Sequence, residues 1–268
     1  MQEINKIPLE GVFNTRDLGG FITADGRAVK PHRLIRSGEL FMLTEGDKKI
    51  LVDEYELKTI VDFRTMQEIK DKPDPELEGV TAIHNPILNE ASMGITREEK
   101  QKLDLIEMLA KMLEKGISGE KYLADLYTTI AIKDFSKAQY KNFFEILLNQ
   151  EKGAVLWHCS AGKDRVGTGT ALLLTALGVP RDIIIQDYLM TNIFGQHTLE
   201  QVVKEVSAKY DDPKIIDSVR AMFGVRESYI LSVFNAIDER YGSIDNYLRD
   251  EMGLNDEKLA KLRDMYLQ

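Results

Sequence analysis

The strongest constraint on the fold of this chain comes from residues 154–177. Ala154-Val-Leu-Trp-His158 is a short apolar run without polar alternation, which is the pattern of a strand covered on both faces at the centre of a parallel sheet. Val166 to Leu177 is apolar nearly all round and predicts a helix buried on every side, ended by Gly178. Between them lies Cys159-Ser-Ala-Gly-Lys-Asp-Arg165, too short to be anything but a tight loop. A buried strand, a tight loop and a buried helix require helices on both faces of a sheet, hence an α/β fold.

The rest of the chain supplies the other layers. Arg33-Leu-Ile-Arg-Ser37, Thr59-Ile-Val-Asp-Phe63 and Thr81 to Leu88 read as further strands, and Asp25-Gly26 as a hairpin turn. Thr44 to Tyr55 predicts a helix with Thr44 as N-cap and Asp47 at its third position. Arg97 to Lys115 and Glu120 to Ile132 carry apolar residues at helical spacing, and Ser136 is expected to cap a helix running to about Gln150. Pro180 and Asp182 start another helix, and from about Thr198 amphipathic helices fill the C-terminal portion, residues 198–268. With 268 residues, no repeat and no linker, one domain over 1–268 is expected.

Bulk properties narrow the partners. A formal net charge of −9 argues against nucleic acid and requires a local positive pocket for any anionic substrate. No stretch approaches the ~18 apolar residues of a membrane span. The N-terminus lacks a long apolar segment, so a cytoplasmic location is expected, or a secreted one if a signal peptide has been removed. The single cysteine excludes an internal disulfide, and with four scattered histidines (His32, His84, His158, His197) it argues against a zinc site.

The lone Cys159 therefore needs another explanation. A strand delivers it to the C-terminal edge of the sheet, and Ser160, Ala161 and Gly162 let the backbone curl so that its N–H groups converge. With the positive end of the following helix, the loop forms a cradle for a phosphate or sulfate anion. A thiol in such surroundings ionises more readily than the ~8.5 of a free thiol, so Cys159 is expected to act as the thiolate nucleophile. Arg165 can hold two phosphate oxygens with its planar fork, which lysine cannot imitate. A leaving oxygen needs a proton, and Asp164 and Asp62 are the candidates, Asp164 being favoured. Asp62 and Arg64 either join the chemistry or form a buried ion pair under the loop. Lys163 is a further candidate for substrate binding, and His158 is expected to hydrogen-bond the loop.

The segment His158 to Gly167 resembles the His-Cys-x5-Arg signature of cysteine-dependent protein tyrosine phosphatases. Its Ala-Gly-Lys-Asp-Arg version is similar to that of bacterial members, as are Asn14-Thr-Arg-Asp-Leu-Gly-Gly20, Ile60-Val-Asp-Phe-Arg-Thr65 and Asp187-Tyr-Leu-Met-Thr-Asn192. The resemblance implies a tyrosine phosphatase-like central, mostly parallel sheet with extra helices. It implies hydrolysis of phosphotyrosine, with phosphoserine, phosphothreonine and phosphoinositides as further substrates, through a phosphocysteine and with no cofactor. It also implies that Asp164 is the acid, and that Lys163 matches a lysine found in inositol-lipid phosphatases. Residues 97–133 become a candidate helical lid, core packing being the alternative. Val166 stands where many relatives have threonine. Oligomeric state is left open.

Rival readings are weaker. A nucleotide-binding P-loop needs glycine where this chain has Trp157 and Ser or Thr where it has Asp164. A rhodanese-like sulfurtransferase also uses a loop cysteine in an anion cradle. An inactive phosphate-binding module would keep the cradle and lose the nucleophile, whereas Cys159 and Arg165 are both present.

Overall fold

The computed structural model describes residues 4–89 and 118–268. The helix expected over 97–115, and with it most of the lid candidate, lies outside the described residues. Six strands form one sheet in the order β1-β2-β3-β6-β4-β5. They are β1 (Asn5–Lys6), β2 (Arg16–Asp17), β3 (Leu34–Ser37), β4 (Leu57–Asp62), β5 (Thr81–His84) and β6 (Ala154–His158). β3, β6, β4 and β5 run parallel, and β1 and β2 add an antiparallel edge. The unalternating run at 154–158 is the inner strand, buried along its whole length.

Among the described residues the helices are α1 (Glu45–Lys49), α2 (Met66–Asp71), α3 (Gly119–Ile132), α4 (Asp134–Leu148), α5 (Asp164–Leu177), α6 (Arg181–Phe194), α7 (Gln196–Ser207), α8 (Pro213–Phe223), α9 (Glu227–Tyr241), α10 (Ile244–Asn246) and α11 (Asp256–Tyr266). α1 begins where its sequence predicts: Thr44 accepts from the Asp47 N–H and Asp47 accepts from the Thr44 N–H, a reciprocal cap. Two expectations shift. Ser136 lies inside α4 rather than capping it, because its hydroxyl donates to the Ile87 carbonyl at 2.8 Å. β5 stops at His84, shorter than the run to Leu88 read from the sequence, although the Asn85 and Ile87 N–H groups still donate to the Asp62 and Phe63 carbonyls.

The sheet separates two apolar clusters, as side-chain alternation requires. Val155, Trp157, Leu34 and Val61 face a large cluster shared with α3–α6, α9 and α11. Ala154, Leu156, Ile35 and Ile60 face a smaller one with Leu51 of the turn after α1. α3 belongs to the large cluster, with Leu123, Tyr127, Ile130 and Ala131 all buried. α7 and α8 share a satellite cluster of their own around Val206, Ile215 and Val219. No helix among the described residues is long and apolar enough to cross a membrane.

Parallel register aligns the strand ends. Ser37, His158 and Asp62 are direct partners across β3, β6 and β4, so the residue after His158 emerges at the C-terminal edge of the sheet. Phe143 is the aromatic keystone behind that edge, with ring centroids 5.2 Å from Phe63 and 5.3 Å from Trp157. Phe143→Ala is expected to lower stability by about 3–5 kcal/mol, read from the midpoint of urea unfolding.

Candidate active site

The turn from β6 into α5 is fixed by its carbonyl groups, each of which has a partner outside the loop or beside it. The Glu39 N–H donates to the Ser160 carbonyl at 3.0 Å. Asn14 Nδ2 donates to the carbonyls of Ala161 at 3.0 Å and Gly162 at 2.9 Å. Arg36 Nη2 also reaches the Gly162 carbonyl, at 2.9 Å. His158 Nδ1 stands 3.4 Å from the Cys159 carbonyl. With the carbonyls drawn outward, the N–H groups of Ser160, Ala161, Gly162 and Lys163 are left over, and no acceptor among the described residues meets them. A loop in this form is a candidate anion cradle.

Glycine at 162 is obligatory on two counts. Its φ is +66°, and a Cβ there would lie 2.5 Å from the Ser37 carbonyl oxygen. Asn14 itself sits at φ 63°, a conformation asparagine tolerates better than most side chains. It is steadied by Arg16, whose Nη1 donates to the Asn14 carbonyl oxygen at 3.2 Å and to its side-chain oxygen. Arg16 and Arg36 both bind the buried Asp187 of α6, at 2.7 and 2.5 Å. Burial works against the Asp187 charge, yet the two guanidinium groups hold its carboxyl below the usual range. Burial, with Arg36 beside it, lowers Arg16 to about 10 despite Asp187. Two family-like segments, 14–20 and 187–192, and the strand read at 33–37 thus meet as one brace on Gly162.

Cys159 is buried, 2 % exposed. Arg165 lies in the first turn of α5 and is clamped end-on by Glu68 of α2, Nη1 to Oε2 at 2.7 Å and Nη2 to Oε1 at 2.8 Å. Its Nη2 also reaches Ser160 Oγ at 3.2 Å, and Ser160 donates to Glu68 Oε1 at 2.6 Å. Burial would loosen the Arg165 proton, but Cys159 and the Glu68 carboxylate beside it push its pKa above the ordinary arginine value. Burial likewise opposes the Glu68 charge, and Arg165 reverses that, holding the carboxyl far below the usual range. Of the five guanidinium N–H groups, Glu68 takes two, the Ser160 hydroxyl oxygen and the Phe63 carbonyl at 3.4 Å meet two more, and Nε–H is left without a partner among the described residues.

Glu68 is absent from the residues read out of the sequence, although a signal existed. Thr65-Met-Gln-Glu68 is a capping box, and Glu68 Oε2 accepts from the Thr65 N–H at 2.8 Å while clamping Arg165. Tyr127, Tyr140 and Asp74 carried no sequence signal. Tyr140 donates to the Arg165 carbonyl at 2.8 Å.

The two candidate acids part company. Asp164 opens α5, with its carboxylate bound by the Tyr127 hydroxyl at 2.8 Å. Asp62 accepts from Arg64 Nε at 2.9 Å and Nη2 at 2.7 Å and stands 3.7 Å from His158 Nε2. Burial opposes its charge, but His158 and Arg64 hold it below the usual range, which suits an ion-pair partner better than a proton donor. Arg64 is committed to Asp62, Asp74 and the Lys72 carbonyl. Asp62 and Arg64 open onto a separate cavity whose lining comes wholly from residues 60–84. Their side-chain partners are one another, Asp74, His158 and the Lys72 carbonyl. Asp62, Asp74 and His158 are close enough to suggest a cation site, but the Arg64 guanidinium already binds both carboxylates and supplies the positive charge. Lys163 is in the loop, but its ammonium turns to the Met222 and Gly224 carbonyls at the end of α8.

The Glu68 clamp has two measurable consequences. Glu68→Gln is expected to lower kcat/KM by about 10²-fold, the cost of a displaced anchoring group. A depressed folded pKa stabilises above the unfolded value and loses that contribution as pH falls. The stability gap between wild type and Glu68→Gln should therefore be full at pH 7 and narrow below pH ~4.3, by urea unfolding at both.

Comparison with known proteins agrees with this geometry. The chain is 27 % identical over 278 residues to the triple specificity protein phosphatase PtpB of Mycobacterium tuberculosis, covering 97 % of this chain and 98 % of that one. It is 29 % identical to a protein named as a tyrosine-protein phosphatase of Cupriavidus necator, over 100 % of this chain and 90 % of the other. A solved structure of TpbA from P. aeruginosa with phosphotyrosine aligns over 73 % of this chain and 89 % of that one, at 17 % identity and a TM-score of 0.29, too slight a likeness to carry weight. The model of the tyrosine phosphatase family matches residues 7–268, nearly the whole length, and the chain belongs to that family.

Proposed function

We propose that this chain removes phosphate from phosphotyrosine through a phosphocysteine at Cys159. The observation that carries this reading is the loop itself: four backbone N–H groups without acceptors among the described residues, next to Cys159 and to an Arg165 held in place by Glu68. Together they suit a dianion whose charge shifts as a bond to phosphorus forms and another breaks.

In the first step the Cys159 sulfur attacks phosphorus, the P–O bond to the tyrosine oxygen breaks, and Asp164 gives that oxygen its proton. In the second step Asp164 takes a proton from water, the hydroxide oxygen bonds to phosphorus, the S–P bond breaks and inorganic phosphate leaves. Arg165 and the loop N–H groups hold the equatorial oxygens in both. Metal and cofactor have no part in this scheme. Residues 1–268 act as one phosphatase unit, and Ser160, Ala161 and Gly162 bind the phosphate.

The substrate range extends to phosphoserine and phosphothreonine, consistent with a relative named for triple specificity. Phosphoinositides enter through Lys163, which sits in the loop and would supply a second cation on leaving its α8 carbonyls.

Phosphate release from a phosphotyrosine peptide, a phosphoserine peptide and soluble phosphoinositides, run in chelator, tests the reading. Cys159→Ser should abolish release from all three while still binding vanadate or phosphate. Arg165→Lys should lower kcat/KM by at least about 10²-fold although charge is kept. Release that persists in Cys159→Ser would refute the mechanism.

A further inference from the structure

Asp164 is not alone at the mouth of α5. Its Oδ1 atom takes the Tyr127 hydroxyl at 2.8 Å and has Lys163 Nζ 3.6 Å away. The Tyr127 oxygen in turn meets the Tyr188 hydroxyl at 2.5 Å, and the two rings pack edge to face with centroids 6.1 Å apart. Tyr127 comes from α3 and Tyr188 from α6, and both are buried, at 0 % and 1 % exposed. Neither belongs to the loop that carries the phosphate chemistry.

Proton counting gives this chain of hydroxyls a direction. A phenol owns one hydrogen. The carboxylate can only accept, so the Tyr127 hydrogen goes to Asp164, and the hydrogen between the two phenols must come from Tyr188. Burial pushes both phenols well above their ordinary pKa, so Tyr127 keeps its hydrogen near neutral pH.

The other groups that face Asp164 are occupied elsewhere or stand farther off. Lys163 donates to the Met222 and Gly224 carbonyls, and Arg165 is clamped by Glu68. Tyr122 of α3 and Tyr229 of α9 feel the Asp164 charge, but among the described residues only Tyr127 hydrogen-bonds its carboxylate. Both contacts converge on Oδ1, and no hydrogen-bond partner among the described residues meets Oδ2.

We propose that Tyr127, backed by Tyr188, is a positioning residue for proton transfer: by holding Oδ1 it reserves Oδ2 for the proton that goes to the leaving oxygen. The inference rests on Asp164 being the general acid and deepens that reading. The contact serves both halves of the reaction. When Asp164 is protonated on Oδ2, Oδ1 is its carbonyl oxygen and still accepts from Tyr127. After the proton has gone to the substrate oxygen, Oδ1 remains held and Oδ2 is poised to take the next proton from water. The helix that carries Tyr127 is anchored by tight packing, since a Cβ on Gly119 would lie 2.9 Å from the Ser218 carbonyl oxygen. The acid is thus aimed by a core helix other than the one that carries it.

Leaving-group dependence separates this role from a merely structural one. 2,4-Dinitrophenyl phosphate expels a phenolate that needs no proton, whereas phenyl phosphate and a phosphotyrosine peptide need one. General acids contribute about 10²–10⁴-fold, so misaiming one should cost about 10-fold on the substrates that need it. Tyr127→Phe keeps the ring and removes one oxygen. It should lose about 10-fold in kcat/KM on phenyl phosphate and little on the dinitrophenyl ester, with Tyr188→Phe shifting the ratio less and in the same sense. Because the ratio is taken on one enzyme sample, the fraction folded cancels. Asp164→Asn run alongside should show the same sorting, larger. Sorting in Asp164→Asn with an unchanged ratio in Tyr127→Phe overturns this inference and leaves the acid assignment standing. No sorting in Asp164→Asn overturns both.

Discussion

The site depends on which way four peptide groups face. An N–H group that points at bound phosphate leaves its own carbonyl, or its neighbour's, pointing away from it, and a buried carbonyl needs a donor. This protein supplies those donors from distant parts of the chain: Asn14 and Arg36 on Gly162, Asn14 on Ala161, and Glu39 on Ser160. Asp187 then holds Arg36 and Arg16, and Arg16 holds Asn14. Removing one partner from such a buried charged set costs about 3–5 kcal/mol, because the remaining charges are stranded. The same set shapes the loop, so stability and the proposed chemistry draw on the same bonds.

Local pattern carried the reading a long way. The run Ala154–His158 is the inner strand because only a strand covered on both faces has no need of polar alternation. Thr44 and Asp47 form the cap they predict. Cys159, Ser160, Gly162, Asp164 and Arg165 come together because they are contiguous, and contiguity at a strand–helix junction is visible in one dimension. Ser136 has the residue type of a cap but does not act as one, because its hydroxyl partner, the Ile87 carbonyl, is 49 residues away.

What the sequence could not display is pairing over distance. Arg16 and Asp187 are 171 residues apart, and neither has a local pattern that points to the other. Glu68 announced itself as the end of a capping box, but its second role follows from the fold that brings α2 against Arg165. Tyr127 reads only as one apolar position on an amphipathic helix, and its hydroxyl contact with Asp164 exists because α3 joined the core. Asp62 and Arg64 resolve the other way. Their two-residue spacing placed them near the sheet edge, but the side chains pair with each other, Asp74 and His158.

The central claim is a covalent bond between phosphorus and Cys159. Mixing the enzyme with excess phosphotyrosine peptide, quenching in acid within the first turnovers and mapping the digest by mass spectrometry tests it most directly. The account predicts a phosphoryl group on the peptide containing Cys159, accumulating further in Asp164→Asn as hydrolysis of the intermediate slows. Turnover with no adduct on that peptide, or with phosphate on a different side chain, would contradict it.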